Sequence, residues 1–212
     1  MILLSQIIDE IRNDLNSGMG YNDSRFDDEY LENKIHTARA ALIAQRMMKV
    51  GKFINDAWVQ TLDISFVNRD TDCDVVEFEC PNVISTGSEN DGFVYVGHNN
   101  GLKPFPRIRK GYSTLSQHSI FSQKKEMMWD YKHLEQNRMV LQFYNNNKLE
   151  YVMVRAMFNN PIEIPNFDKT IDHYPVDASL QREIVDFITA DLIRKTQRPV
   201  EITGTNQTEI PR

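Results

Sequence analysis

The chain is short of cysteine. Of its 212 residues only Cys73 and Cys80 are cysteines, too few for a disulfide framework and without the second pair that a structural zinc site uses. No run of ~18 apolar residues occurs, which excludes a membrane-spanning helix and any membrane partner through one. Basic residues are also outnumbered: 24 Lys and Arg against 30 Asp and Glu give a formal net charge of −6 and a pI near 5.4. Such a balance argues against a protein whose main task is to grip nucleic acid, although DNA can pass close by without being held. The start, Met1-Ile2-Leu3-Leu4-Ser5-Gln6, has no basic lead and soon reaches Asp9 and Glu10, so no secretory signal is expected.

Chemistry is equally scarce. No glycine-rich loop stands between a strand and a helix, no Ser or Cys has the surroundings of a nucleophile elbow, and the five histidines are scattered. Asp70-Thr71-Asp72-Cys73-Asp74 has the carboxylate spacing that opens a calcium loop. Val75 and Pro81, however, stand where that loop needs its glycine and its bidentate Glu. Glu77 and Glu79 share a strand face and read as solvated. No catalytic group, metal or cofactor is expected.

What the chain does have is helical pattern at both ends. Leu31, Ile35, Ala38 and Leu42 fall on one face of a helix over 27–50, roughly 35 Å long at ~1.5 Å per residue. Ser24 or Asp27 can cap it, Asp27, Asp28 and Glu29 suit its positive end, and Gly51 closes it. Ala41 and Ala44 add a flat surface that another helix can approach. Leu31, Ile35, Ala41 and Ala44 are therefore the candidate oligomer interface. Ile7, Ile8, Ile11 and Leu15 predict a shorter first helix ending near Asn16-Ser17-Gly18, so that 5–50 forms a helical hairpin whose apolar faces meet. Near the other end Asp177 caps a helix with Leu180, Ile184, Phe187, Ile188 and Leu192 as its buried stripe.

Between these the period changes from 3.6 to 2. Strands are expected within 58–68, at 75–80 with a stop at Pro81, at 93–96 before an Asn100-Gly101 turn, and more weakly at 127–131. The clearest hairpin is expected from 139–144 to 149–158 across Asn145-Asn146-Asn147, its second arm apolar on both faces and hence central. The reading is an α+β fold with a helical hairpin at 1–57, an inserted antiparallel β-rich block of five or six strands at 58–165, a C-terminal helix at 166–196 packing on the N-terminal helices, and an extended arm at 197–212. In the arm only Val200, Ile202 and Ile210 are large and apolar, which is too little to offset the chain entropy of ordering it.

One basic cluster stands out, with Lys103, Arg107, Arg109 and Lys110 around Phe105. It suits a phosphate-contacting or acidic-partner loop, because an aromatic between Pro104 and Pro106 rarely packs under its own loop.

The layout resembles the head-to-tail adaptor proteins of tailed bacteriophages. The similarity rests on Ser24-x-Phe26-Asp27-Asp28-Glu29-x-Leu31 followed by Ile35 and Ala38. It rests also on Tyr174-Pro175-Val176 leading to Leu180, Ile184, Val185 and Ile188 before a polar tail. Val154-Arg155-x2-Phe158-x2-Pro161 and the Asn-rich turns are most similar to ring proteins of crAss-like phages. The resemblance implies a structural, non-enzymatic virion protein, made in the host cytoplasm and placed in the neck between capsid and tail. It would form a homo-dodecameric ring, with portal protein above, a tail or ring protein below, and genomic DNA passing through the channel without specific binding. It further implies that Pro199, Val200, Ile202 and Ile210 form a portal-docking arm. Two other classes suit parts of the chain: a β-sheet binding module for a host or tail protein or a glycan, and a metal-dependent nuclease using Asp70, Asp72, Asp74, Glu77 and Glu79.

Overall fold

The computed structural model describes residues 2–19, 26–50, 55–70, 75–86, 91–101, 103–108, 127–134, 138–144 and 148–196. Two helices open the chain, α1 (Leu4–Met19) and α2 (Asp28–Val50). Seven strands follow: β1 (Gln60–Ser65), β2 (Asn68–Asp70), β3 (Val75–Pro81), β4 (Phe93–Gly97), β5 (Met128–His133), β6 (Arg138–Tyr144) and β7 (Tyr151–Ala156). A last helix, α3 (Ala178–Thr196), completes the α+β order expected from the sequence. The expected arm at 197–212 lies outside the described residues.

The helices cluster around their apolar stripes. Leu4, Ile7, Ile8, Ile11 and Leu15 of α1 meet Leu31, Ile35, Ala38, Ile43 and Met47 of α2 and Leu180, Ile184, Val185, Ile188 and Leu192 of α3 in one core. The expected hairpin is thus really a three-helix cluster, in which α3 contacts both α1 and α2 more extensively than those two contact each other. The α2 stripe drifts around the helix to Arg39, Ile43 and Met47, leaving Leu42 at its margin. Phe187, expected in the α3 stripe, is 58% exposed. It lies a quarter-turn or more from the centre of that stripe, on the side that carries Glu183 and Ala190. The Asp27 carboxylate accepts from Tyr30 N–H at 2.7 Å and that of Asp177 from Leu180 N–H at 2.7 Å, so both expected caps are in place.

The strands form two antiparallel sheets, ordered β1-β7-β4 and β2-β3-β6-β5. Their inner faces share one core, with Leu62, Val96, Val152 and Val154 from the first and Val76, Phe78, Leu141 and Phe143 from the second. This is a small β-sandwich. The expected hairpin from 139–144 to 149–158 does not form. β6 pairs with β3 and β5, β7 pairs with β1 and β4, and the chain between them changes sheets. Both strands are apolar enough to be central, and each is an inner strand of a different sheet. Gly101 takes a positive φ of 68° and its N–H donates to His98 O at 3.0 Å, which makes the expected tight turn.

Candidate functional site

Helices and sandwich meet where the chain enters β1, leaves β7 and enters α3, and Arg39 ties these three points together. Its side chain is wholly buried, with Nε donating to Pro175 O at 2.9 Å, NH1 to Phe158 O at 2.7 Å and NH2 to Trp58 O at 2.9 Å. Burial lowers its pKa to about 10, still charged at neutral pH. Three backbone carbonyls thereby gain a charge-assisted donor in a place without water. Asp177 works alongside. While one oxygen caps α3, the other accepts from Trp58 Nε1 at 3.0 Å and Asn55 Nδ2 at 2.7 Å. Sequence reasoning found the cap and missed the anchor. The available signal for Arg39 was a charged residue four positions after Ile35, within the apolar stripe.

Around this joint adjacent residues serve different cores. Val83 and Phe158 face the sandwich, Ile84 and Met157 the helices, as strand alternation demands. Gly92 fits between them: its N–H donates to Ile84 O at 2.7 Å and its carbonyl accepts from Met157 N–H at 2.9 Å. A Cβ there would stand 3.0 Å from Ile84 O.

His36 lies beside the joint, its Nδ1 2.7 Å from the Tyr174 hydroxyl. Burial and then the Arg39 charge push its pKa down to about 4, so it is neutral in the fold. It lines an open polar cleft of about 390 Å³ with Asn33, Thr37, Asn159 and Glu163.

The residues singled out for assembly fall in different places. Leu31 and Ile35 are fully buried in the protomer's own core and offer no surface to a neighbour. Ala41 is exposed and Ala44 half-buried, so this part of α2 does present a low, open face. In the basic cluster Lys103 is exposed, and Arg109 and Lys110 lie outside the described residues.

Phe105 does pack under its own loop, contrary to expectation. It is half-buried against the sandwich core, with His98 and Phe143 rings edge-on at 4.7 and 5.8 Å. Arg107 is turned inward too, 2.8 Å from the buried Asp91 carboxylate and 4.7 Å from the centre of the Tyr131 ring. Asp91 also accepts from the Tyr131 hydroxyl at 2.5 Å and the Ser85 hydroxyl at 2.9 Å. Residues 103–108 are thus a strap fastened to the sandwich by Phe105 and Arg107. The arm residues Pro199, Val200, Ile202 and Ile210 lie outside the described residues.

The acids considered for metal chemistry are engaged or outside view. Glu77 accepts from Lys132 Nζ at 2.9 Å and from Gln142 Nε2 at 2.7 Å, and Glu79 faces Arg138 at 3.6 Å. Asp72, Cys73 and Asp74 lie outside the described residues. Burial pushes the Cys80 thiol up to about 12, far from a reactive or ligating thiolate.

Among the described residues, Arg39, Asp177, Asp91 and Arg107 hold the joint and the strap together. The family model described as phage tail ring protein 2 matches residues 6–209. The chain belongs to that family, the ring proteins of crAss-like phages, and is a structural component of the virion tail. Among curated proteins none matches the chain.

Proposed function

We propose that this chain is a head-to-tail adaptor, assembled as a homo-oligomeric ring of twelve copies beneath the portal and around the channel through which DNA is ejected. The observation that carries this reading is the family match over nearly the whole chain. Portal protein lies above, a further tail or ring protein below, and the neck of the virion is its place. It has no catalytic activity and uses no metal or cofactor. The net charge of −6 suits such a channel, because an acidic wall lets DNA slide where a basic wall would hold it.

In this reading residues 1–57 and 166–196 make the helical body and 58–165 the inserted β block. The open Ala41 and Ala44 face of α2 meets a neighbouring copy, with Leu31 and Ile35 supporting it from beneath. Lys103, Arg109 and Lys110 contact a partner protein or DNA from a strap that Phe105 and Arg107 hold in place. Residues 197–212, through Pro199, Val200, Ile202 and Ile210, dock into the portal ring as an extended arm, and repetition around the ring makes a weak single contact firm. Truncation after Gln197 tests the adaptor role. The shortened chain is expected to fold and to form rings, yet fail to join portal-bearing heads. Normal attachment of the truncated protein would overturn the docking arm.

A further inference from the structure

The two sheets have four edges, and three of them are guarded. β4 is covered by the strap, with Phe105 N–H donating to Val96 O at 2.8 Å and Pro104 bridged to Gly97. β5 is covered by the strap's continuation, with Ile108 N–H donating to Trp129 O at 2.8 Å and Trp129 N–H to Pro106 O at 3.1 Å. β2 is only three residues long. Prolines, covering segments and short strands are the usual ways to blunt an edge.

Among the described residues no segment pairs with the outer backbone edge of β1, and the Gln60 side chain donates to Pro161 O at 3.4 Å. Gln60-Thr61-Leu62-Asp63-Ile64-Ser65 is six residues long, free of proline and lysine, and paired with β7 without a bulge. The direction of its free groups follows from one bond. Phe66 N–H donates to Glu150 O at 3.2 Å, one step beyond the Ser65–Tyr151 pair, so 66 and 150 form a hydrogen-bonded pair. Antiparallel alternation then turns the amides and carbonyls of Gln60, Leu62 and Ile64 toward β7 and those of Thr61, Asp63 and Ser65 outward. The side chains of these three are exposed as well. At the end of the strand Phe66, Val67 and Tyr151 expose apolar surface, and along its flank Leu62 and Ile64 line an open cleft of about 410 Å³.

We infer that the outer edge of β1 receives an extended segment of a second copy of this chain, added as a strand to Thr61, Asp63 and Ser65. The inference rests on the ring reading. Strand addition suits an edge whose backbone supplies the affinity and whose neighbouring apolar groups supply the register. A second copy is the occupant that fits, because the chain belongs to a family of ring proteins and neighbouring copies are present in the same number as these edges. A closed ring provides this by setting one face of each copy against a different face of the next.

The test compares native mass and amide exchange in purified wild type, Asp63→Pro and Asp63→Thr. Proline at 63 deletes one outward N–H and leaves the ladder to β7 intact, whereas threonine changes only the side chain. Wild type and Asp63→Thr are expected as rings, with the amides of 61, 63 and 65 exchanging roughly tenfold or more slowly in the ring than in dissociated protomers. Asp63→Pro is expected as a folded monomer of 24.7 kDa, within the small mass change of the substitution. Folded Asp63→Pro that still forms rings would overturn the inference and leave the ring reading standing. Should that variant fail to fold, equal exchange at 61, 63 and 65 in wild-type ring and protomer would overturn it instead. Wild type that stays monomeric would overturn the ring reading, and this inference with it.

Discussion

The helical cluster packs around one shared core, whereas among the described residues the sandwich has a covering segment on one flank only. On the outside of the helices charged residues meet one another: Lys34 and Lys195 with Asp191, Arg46 with Glu183, Lys169 with Glu32. Exposed pairs of this kind are each worth well under about 1 kcal/mol. The sandwich seals its β4 and β5 flank with the strap, whereas among the described residues no backbone pairs with the outer edge of β1. The difference separates two tasks. The helices and the joint at Arg39 tie the protomer's own elements together, and the β1 flank is the surface proposed above to receive a second copy.

The largest loss of stability is expected at the joint. Arg39→Ala should leave three buried carbonyls without donors and a void beside Tyr174. At about 1–3 kcal/mol for each unpaired group the loss is roughly 4 kcal/mol or more, close to the whole stability of a modest domain. Urea unfolding would measure it, and a loss under about 1 kcal/mol would mean that the joint does not depend on Arg39.

The next effect is on pH dependence. His36 is held neutral, with a folded pKa of about 4 against 6.5 when unfolded. Between those values the unfolded chain binds more protons, so stability is full above pH 6.5 and falls as pH drops toward 4. The contribution is roughly 3 kcal/mol over the whole window. Unfolding midpoints from pH 7 to 4 should fall less steeply in His36→Gln, and identical slopes would remove His36 from the account.

On the sandwich, Asp91→Ala should remove the carboxylate that Arg107, the Tyr131 hydroxyl and the Ser85 hydroxyl share and loosen the strap, at about 2–3 kcal/mol. Limited proteolysis should then cut within 103–108 faster than in wild type while the helices stay intact. The smallest effect is expected at Phe187, which is 58% exposed and belongs to neither main core cluster of the described residues. Phe187→Ser should move stability by no more than about 0.5 kcal/mol, in contrast to Ile184→Ser in the buried stripe one turn away.

How much of this was legible follows the same divide. The helices, their caps at Asp27 and Asp177 and most of their buried stripes could be read directly, since a helix is specified by residues three and four apart. Only the margins failed, at Leu42 and Phe187, where the stripe drifts around the helix. Strand positions were legible too, down to the weak segment ending as β5, except for the three-residue β2, which brings the five or six expected strands to seven. Their partners were not, because pairing joins residues far apart in sequence. The segments 139–144 and 149–158 look like a hairpin by spacing and composition, yet each is the centre of a different sheet. Arg39 was hidden because its three acceptors are backbone carbonyls that no residue type announces. The strap was misjudged for a related reason: Phe105 and Arg107 look free until Asp91 and Phe143, remote in the chain, are placed beneath them. The open edge at β1 became visible only once the other three edges were seen to be guarded.

Assembly into a ring is best read from native mass spectrometry of the purified wild-type chain. One closed species is expected at an integral multiple of 24.7 kDa, twelvefold in the proposed adaptor. A monomer that persists at every concentration would contradict ring assembly.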